Sequence, residues 1–360
     1  MAASESAPAA RLTALAFDDL AGWTGDDHAA ALAAFRRGAA VIADHPPKAR
    51  PLGPDPAALA DLLRQSLSVP DSRAREFFEA GFRPHVVEPA DGAPFFTGYY
   101  EPEVEGSRTE TREFRHPLYG PPADLVEIEP GSVPGIPADF RFARIVGSGY
   151  REHFERAAVT AGALAGERLE LVWLKDAVDA FFIHVQGSAR IRLTDGATMR
   201  VTYAAKSGHP YTSIARVLVE RGALTRETAT MGGIRAWLAA HPAEAAAVMN
   251  ANRSFIYFRE ATGLDARLGP LGAAKVQLTA GRSLAVDRTL HAFHTPVWVE
   301  TTLPDGAPFR HLLIAEDTGS AIVRPARGDV FFGSGDAAGV VAGAMRSGGR
   351  FVVLLPRGSR

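Results

Sequence analysis

Short β-prone stretches dominate the sequence from Phe95 onward, and this change of pattern constrains the fold more than any other feature. Before it, residues 1–90 contain alanine-rich and proline-rich stretches, which predict helices and loops. From Phe95 to about Arg200, aromatic and β-branched residues predict strands, and the same pattern returns from about Lys275. We therefore expect a mainly β protein, an all-β barrel with peripheral helices.

The clearest local element is a β-hairpin centred on Asp195 and Gly196. Apolar residues alternate with polar ones through 191–193 before the turn and through 199–203 after it. An Asp-Gly pair suits the type I′ turn, whose twist matches that of the two flanking strands. This segment is therefore predicted as two antiparallel strands.

Capping residues mark two helix starts. Asp26 and Asp27 open an alanine-rich run, and Thr212 or Ser213 opens a second run. The apolar residues that precede Gly187 are assigned to a buried strand, with the glycine in a bulge or beside a ligand.

The composition argues against several classes of function. A formal net charge of −2 leaves no basic field for nucleic acid, so no nucleic-acid partner is expected. The chain contains no cysteine, which excludes disulfides, thiolate nucleophiles and cysteine zinc sites. The eleven histidines show no metal-binding spacing, and phosphate-loop and dinucleotide motifs are missing. We therefore expect neither a metal nor a cofactor.

Three aspartates in the C-terminal third are candidates for catalysis: Asp287, Asp317 and Asp329. Each lies near a predicted strand end, and glycines follow the last two. Asp329 has the most apolar neighbours, because Val330 and two phenylalanines follow it directly. A carboxyl group in apolar surroundings has a raised pKa. The alternative is that each aspartate only caps a turn.

Three further segments could contact a sugar. Aromatic and acidic residues alternate with glycines in 95–109, and aromatic rings stack on the C–H faces of sugars. Polar side chains also flank a glycine in 179–193 and precede a predicted helix in 206–214. Each segment has a structural alternative: a half-buried strand with an acidic loop, a bulge, or a helix cap.

The order of these segments resembles that of the membrane-bound lytic murein transglycosylase A family from about residue 50 onward. The blocks that carry the resemblance include FTGYYEPEVEGSRT, HPLYGPPADL, FFIHVQGSARIRLTDG, YAAKSGHPYTSI, LTAGRSLAVDRTLH, AEDTGSAI and GDVFFGSGDAAG. The resemblance implies a double-psi β-barrel with an inserted second β-barrel domain. It divides the chain into 1–105, with the helices and the first part of the barrel, 106–252, the insert, and 253–360, the three-aspartate module.

The resemblance also implies an activity on peptidoglycan glycan strands. Asp329 matches the family's single catalytic acid and base, and Asp317 matches its supporting aspartate. The reaction would cleave the β-1,4 bond between N-acetylmuramic acid and N-acetylglucosamine and leave a 1,6-anhydromuramoyl end. The residues assigned to substrate binding are Tyr99, Tyr100, Glu101, Gln186, Ser188, Gly208, Tyr211, Asp287 and Ser334.

Two other functions fit the same barrel. An inverting glycoside hydrolase needs a second carboxylate to activate water, for which Glu101, Glu103 or Asp317 are candidates. A glycan-binding protein without catalysis needs none of the aspartates.

The family resemblance implies a periplasmic or outer-membrane-associated protein. Its members are typically exported and tethered by a lipidated cysteine, whereas this sequence contains neither an export signal nor a cysteine. No stretch approaches the about 18 apolar residues of a membrane-spanning helix. Any attachment to the outer membrane is expected to depend on an N-terminal anchor that the printed sequence lacks.

Overall fold

The bounds of the strands and helices follow the change of pattern at Phe95. The computed structural model describes residues 10–358. Up to Glu101, the elements are β1 (Ala10–Ala14), α1 (His28–Ala39), α2 (Pro56–Ser66), α3 (Ala74–Gly81), β2 (Phe82–Pro89) and β3 (Phe95–Glu101). The middle of the chain contains β4 (Glu103–Ser107), β5 (His116–Tyr119), β6 (Leu125–Glu127), β7 (Phe142–Val146), β8 (Gly149–Arg151), α4 (Arg156–Thr160), β9 (Glu170–Leu174), α5 (Ala177–Gln186), β10 (Ser188–Leu193), β11 (Thr198–Lys206), α6 (Ile214–Glu220), α7 (Met231–Ala240), α8 (Pro242–Asn250) and β12 (Ile256–Glu260). The C-terminal part contains β13 (Ser283–Val286), β14 (Pro296–Thr302), β15 (Pro308–Asp317), β16 (Arg327–Ser334), α9 (Asp336–Ala344), β17 (Arg346–Ser347) and β18 (Gly349–Pro356).

These elements form two units. The first unit combines the chain up to Tyr100 with the chain from Asp265 onward, and the second unit is Glu101–Leu264. The functional division into 1–105, 106–252 and 253–360 stays a prediction.

A nine-stranded sheet organises the first unit, in the order β1-β2-β18-β14-β15-β13-β16-β3-β17. Because strand side chains alternate between two faces, this sheet contributes to two cores. Trp298 and Leu312 pack with α1, α2 and α3 on one face, whereas their neighbours Val297 and Leu313 pack in the other core. Strand β13 pairs in parallel with β15 and antiparallel with β16, which brings two of the candidate aspartates to one part of the sheet.

The second unit contains a six-stranded sheet, in the order β12-β11-β10-β4-β9-β5, and a three-stranded sheet, β6-β7-β8. The predicted hairpin is confirmed: β10 and β11 pair antiparallel, with Ile191 opposite Met199. The predicted type I′ turn at Asp195-Gly196 is wrong, because Gly196 has a positive φ of 86° but Asp195 does not. The backbone N–H of Gly196 donates to the carbonyl of Leu193, so Thr194 and Asp195 form the centre of the turn and glycine follows it in the left-handed conformation.

The segment before Gly187 is a helix, and the predicted buried strand is wrong. Asp176 caps α5 by accepting a hydrogen bond from the backbone N–H of Val178, and buried Phe181 and Phe182 pack with α6, α7 and α8. A short apolar run does not distinguish a buried strand from a buried helix. Gly187 ends the helix with a φ of 80° and does not form a bulge.

The protein is mainly β, as expected, with helices packed against its sheets. In the part of the chain that the structure describes, no strand pairing joins the two ends of either large sheet, so the two predicted barrels are not seen as closed rings. None of the helices between residues 10 and 358 has the length and apolar character needed to cross a membrane.

Candidate active site

Asp317 and Asp329 lie on either side of the same short strand. Ala285 of β13 pairs with Asp317 at the end of β15 on one side and with Asp329 of β16 on the other. Neighbouring strands are about 4.8 Å apart, so the two aspartate backbones are separated by roughly 10 Å. Both side chains are half-buried. The sheet thus brings together the two residues predicted to be catalytic.

Strand β3, next to β16, provides a hydroxyl donor for each carboxyl group. Thr97 Oγ1 donates a hydrogen bond to Asp329 Oδ1, and Tyr99 Oη donates to Asp317 Oδ2 over 3.0 Å. Residues two apart on a strand share a face, so both hydroxyls point to the same side of the sheet. The Tyr99 ring also lies against Phe331, with 5.3 Å between the ring centroids.

The two carboxyl groups differ in how many of their oxygens are engaged. The second oxygen of Asp317, Oδ1, accepts a hydrogen bond from the backbone N–H of Ala273 at 3.0 Å. By contrast, Oδ2 of Asp329 accepts no hydrogen bond from any residue between 10 and 358. Asp329 therefore keeps one oxygen available for a substrate, whereas both oxygens of Asp317 have donors.

Burial raises the pKa of both aspartates. Burial, helped by the charge of Asp329, raises the pKa of Asp317 to about 6, against hydrogen bonds from Ala273, Thr318 and Tyr99 that favour the charged form. Burial also raises the pKa of Asp329, against the charge of Arg327 and the hydrogen bond from Thr97. Each carboxyl group thus holds a proton to a higher pH than a free aspartate does.

Arg327 and Thr97 are functional candidates that the sequence prediction missed. Arg327 Nη2 donates to Thr97 Oγ1 over 2.6 Å, and Thr97 in turn donates to Asp329. The guanidinium also lies 5.4 Å from the centroid of the Phe95 ring. The available sequence signal was the spacing of two residues, which places Arg327 on the same strand face as Asp329, and Thr97 on that of Tyr99.

Asp287 lies outside this cluster. Its Oδ1 accepts hydrogen bonds from the backbone N–H of Thr289, at 2.9 Å, and from the Thr289 hydroxyl, at 2.6 Å. Its Oδ2 accepts from the backbone N–H of Arg324, a residue with a φ of 122°. This arrangement is that of an aspartate holding two loops together. Substrate binding by Asp287 stays a prediction that these contacts do not support.

Two other predicted substrate residues lie in the first unit. Tyr100 is buried, with its ring against Gly339 of α9, because it faces away from Tyr99. Ser334 is the last residue of β16. Their contacts with a substrate stay predictions.

The remaining predicted residues belong to the second unit. Glu101 is fully buried and accepts hydrogen bonds from Arg190 Nε, at 2.8 Å, and from Arg200 Nη2, at 2.8 Å. A buried carboxylate that two guanidiniums hold in this way stabilises the unit, and removing one partner is costly. Glu101 is therefore engaged inside its own unit.

Four more of these residues lie at the ends of elements or in the loop between β11 and α6. Gln186 ends α5, and buried Ser188 begins β10. Gly208 is buried with a φ of 91°, and Tyr211, which precedes α6, is 37% exposed. Their roles as sugar contacts stay predictions.

We expect the contribution of Asp317 to the free energy of unfolding to fall as the pH rises from about 4 through about 6, because Asp317 is protonated more readily when folded. A carboxyl group whose folded pKa is raised contributes stability that is fully present below its unfolded pKa and is lost as the pH passes the folded value. Asp317→Asn should make this decline shallower by about 1 kcal/mol or more over that range, since one pKa unit corresponds to about 1.4 kcal/mol. Urea unfolding at a series of pH values measures the difference, and an unchanged slope would contradict the raised pKa.

Gly98→Ala should destabilise the first unit and reduce activity. Gly98 lies between Thr97 and Tyr99, and an added Cβ would lie 2.7 Å from Ala342 Cα and 2.7 Å from a ring carbon of Phe332. Overpacking of this kind costs about 1–3 kcal/mol and would displace β3 together with both hydroxyl donors.

Gly232→Ala in α7 is the matched control for this substitution. A Cβ there meets nothing within 4 Å, and alanine favours a helix over glycine by up to about 1 kcal/mol. Thermal unfolding of the two variants compares them directly. Equal stability of Gly98→Ala and the native protein would show that β3 has room to move.

The residues described here do not contain three histidine, cysteine, aspartate or glutamate side chains placed to hold a metal ion. The site contains a pair of carboxyl groups with raised pKa values, and one oxygen of Asp329 accepts no hydrogen bond from a described residue. Such a pair can donate and accept protons.

Family models, related sequences and solved structures all identify the same family for this chain. The model of the MltA specific insert domain matches residues 95–259, and that of the 3D domain matches residues 282–355, which include all three candidate aspartates. The chain is 31% identical over 290 residues to membrane-bound lytic murein transglycosylase A of Escherichia coli strain K12, covering 78% of this chain and 71% of that protein. It is 30% identical over 267 residues to the Vibrio cholerae protein of the same name, covering 72% of this chain but only 64% of the relative. A crystal structure of a membrane-bound lytic murein transglycosylase from Agrobacterium tumefaciens has a TM-score of 0.88 and 40% identity, covering 96% of this chain and 98% of the other.

Proposed function

The chain belongs to the membrane-bound lytic murein transglycosylase A family, and from that premise we propose that it cleaves peptidoglycan as a lytic transglycosylase. The bond cut is the β-1,4 link between N-acetylmuramic acid and N-acetylglucosamine, and the product carries a 1,6-anhydromuramoyl end. The observation that carries the proposal is the half-buried Asp329, with a raised pKa and a carboxyl oxygen that no described residue engages.

In the first step, Asp329 acts as the general acid. Its protonated carboxyl group donates to the glycosidic oxygen as the bond to the muramoyl anomeric carbon breaks and positive charge develops on the sugar ring. Thr97 holds Oδ1 of Asp329, which leaves Oδ2 to face the leaving oxygen. The raised pKa favours the protonated form that this step requires.

In the second step, the same carboxyl group acts as the general base. The Asp329 carboxylate takes the proton of the muramoyl 6-hydroxyl while that oxygen bonds to the anomeric carbon. The Arg327 charge and the Thr97 hydroxyl stabilise the carboxylate that forms between the two steps. Because the nucleophile belongs to the substrate, the closure is unimolecular and no water is consumed.

We assign a supporting role to Asp317, although its pKa is also raised. Both of its oxygens are held by donors, from Ala273 and Tyr99, so it is the less accessible proton carrier. The Asp329 charge also raises the pKa of Asp317, so Asp317 holds its proton more tightly once Asp329 is ionised. Asp317 is therefore assigned a role in the electrostatics of the site and not in the transfer of the proton.

The form of the new glycan end tests this proposal. Purified peptidoglycan is digested with the protein, and the soluble fragments are weighed by mass spectrometry. We expect anhydromuramoyl ends, each lighter by one water than a reducing end. Reducing ends would instead indicate an inverting hydrolase, and undiminished glycan binding without released fragments would indicate a binding protein.

The fold and location complete the proposal. The parallel pairing of β13 with β15 inside a largely antiparallel sheet supports a double-psi arrangement of the three-aspartate module, with the second barrel inserted. The glycan substrate and the relatives' description as membrane-bound support a periplasmic or outer-membrane-associated location.

A further inference from the structure

Glu316 is the extra residue of an irregular pairing directly before Asp317. In the parallel ladder between β13 and β15, Leu284 lies opposite Ala315, but Ala285 lies opposite Asp317. Such bulges occur beside active sites, where they re-aim a side chain. The way in which Glu316 is held therefore affects where Asp317 points.

The side chain of Glu316 is fully buried and only half satisfied. Its Oε2 accepts a hydrogen bond from Ser283 Oγ, whereas its Oε1 has no hydrogen-bond partner among the described residues. Burial raises the pKa of Glu316 to about 8, against the Arg37 charge and the Ser283 hydrogen bond, and Asp317 adds to the rise. At neutral pH this carboxyl group is therefore mainly protonated.

A second buried polar atom without a hydrogen-bond partner among the described residues, Nε of Arg37 in α1, lies on the same side of the sheet as Glu316. Nη2 of Arg37 instead donates to Thr279 Oγ1. The backbone N–H of Thr279 donates to Ser283 Oγ at 2.8 Å, so one turn links Arg37 to Glu316. Other titratable groups also lie on this side: His294 lies against Gly38 of α1, and burial lowers its pKa to about 4. Asp26 lies before α1 and accepts hydrogen bonds from Arg282 and His311.

Two unsatisfied polar atoms in one buried region need a partner. Buried polar groups in folded proteins are nearly always hydrogen-bonded, and internal water supplies the bonds that protein atoms do not. We propose that an internal water molecule bridges Arg37 Nε and Glu316 Oε1, and that this hydrated link holds the bulge and so positions Asp317. The water accepts from the guanidinium N–H and from the protonated Oε1 of Glu316. The effect on Asp317 rests on the proposed function, whereas the water site does not.

Two substitutions of similar size test whether the hydrogen bonds of Glu316 are needed to hold the water. Glu316→Gln keeps a neutral side chain that still accepts from Ser283 and donates to the water. Glu316→Leu removes both bonds. High-resolution crystal structures should show the water in the native protein and in Glu316→Gln, and no water in Glu316→Leu. No water in the native protein, or a direct contact between Arg37 and Glu316, would overturn the site.

The pH dependence of unfolding tests the same link without any activity. Since the folded pKa of Glu316 is raised, its contribution to stability is lost as the pH rises from about 4.5 through about 8. Glu316→Gln should lose less stability than the native protein over this range. An identical slope would show that Glu316 is ionised when folded and would overturn the neutral link.

Release of glycan fragments tests the positioning of Asp317. Glu316→Leu should lower kcat on the order of tenfold with little change in KM and should shift the pH profile, because small displacements of catalytic groups are costly. Glu316→Gln should restore both. An unchanged pH profile in Glu316→Leu would overturn the positioning role. If the native protein released no anhydromuramoyl fragments, the proposed function and the positioning role would both fail, and the crystal and unfolding results would still decide the water site.

Discussion

Asp329→Asn should abolish the release of anhydromuropeptides while leaving the protein folded. An amide cannot supply a proton to the leaving oxygen or accept one from the 6-hydroxyl, and general acid–base catalysis contributes on the order of a hundredfold to ten-thousandfold. One residue performs both steps in this account, so we expect a loss on the order of a thousandfold or more. Solubilisation of labelled peptidoglycan measures the rate.

Two controls are needed for this prediction: the thermal stability of Asp329→Asn, and a matched substitution at another aspartate. Because burial raises the pKa of Asp329, replacing its carboxyl group with a neutral amide should leave thermal stability at pH 7 equal or higher. Asp287→Asn serves as the comparison, since this aspartate holds loops and lies outside the carboxyl pair. We expect it to reduce stability more than activity. Full activity of Asp329→Asn would show that another group transfers the proton.

Among the substitutions considered, Asp26→Asn should lower the free energy of unfolding the most. The Asp26 carboxylate is fully buried and accepts hydrogen bonds from Arg282 at 2.8 and 2.9 Å, from His311 Nδ1 at 2.8 Å and from the backbone N–H of Leu312 at 2.9 Å. Burial alone would raise its pKa, but the bonds from His311 and Arg282 outweigh burial and hold the pKa of Asp26 well below its usual range. Leaving Arg282 buried without this charge should cost about 3–5 kcal/mol.

Asp27→Asn is the matched control for this loss. Asp27 caps α1 by accepting from the backbone N–H of Ala30, and asparagine caps a helix about as well as aspartate does. Its free energy of unfolding should change by less than about 0.5 kcal/mol. Urea unfolding at pH 7 compares the two variants, and similar values for both would mean that the Asp26 ion pair contributes little.

The mainly β character and the hairpin were predicted from the sequence, whereas Asp329 and Asp317 were chosen by the family resemblance and their catalytic roles stay predictions. Alternating apolar residues and an Asp-Gly turn predicted the hairpin of β10 and β11, because these signals are local. The apolar run before Gly187 was ambiguous, since its helical form depends on packing against helices that follow much later in the chain. Local patterns therefore predicted the position of the hairpin, but they did not distinguish a buried helix from a buried strand.

The partners of the carboxyl groups could not be predicted from local patterns. Thr97 and Asp329 are 232 residues apart, and only the pairing order of β3, β16 and β13 brings them together. The bulge at Glu316 depends on the register between β13 and β15, which no short motif specifies. Asp287, like the other two aspartates, lies near a predicted strand end. Its oxygens nevertheless accept hydrogen bonds from loop residues, a difference that the sequence pattern did not reveal.

The source of the oxygen at the new glycan end distinguishes closure by the muramoyl 6-hydroxyl from attack by solvent water. Peptidoglycan is digested in water enriched in heavy oxygen, and the released fragments are weighed by mass spectrometry. If the muramoyl 6-hydroxyl is the nucleophile, the new ends contain no heavy oxygen and are lighter by one water than reducing ends. One heavy oxygen atom at each new end would show that solvent water attacks the anomeric carbon, and would contradict a transglycosylase in which Asp329 is both acid and base.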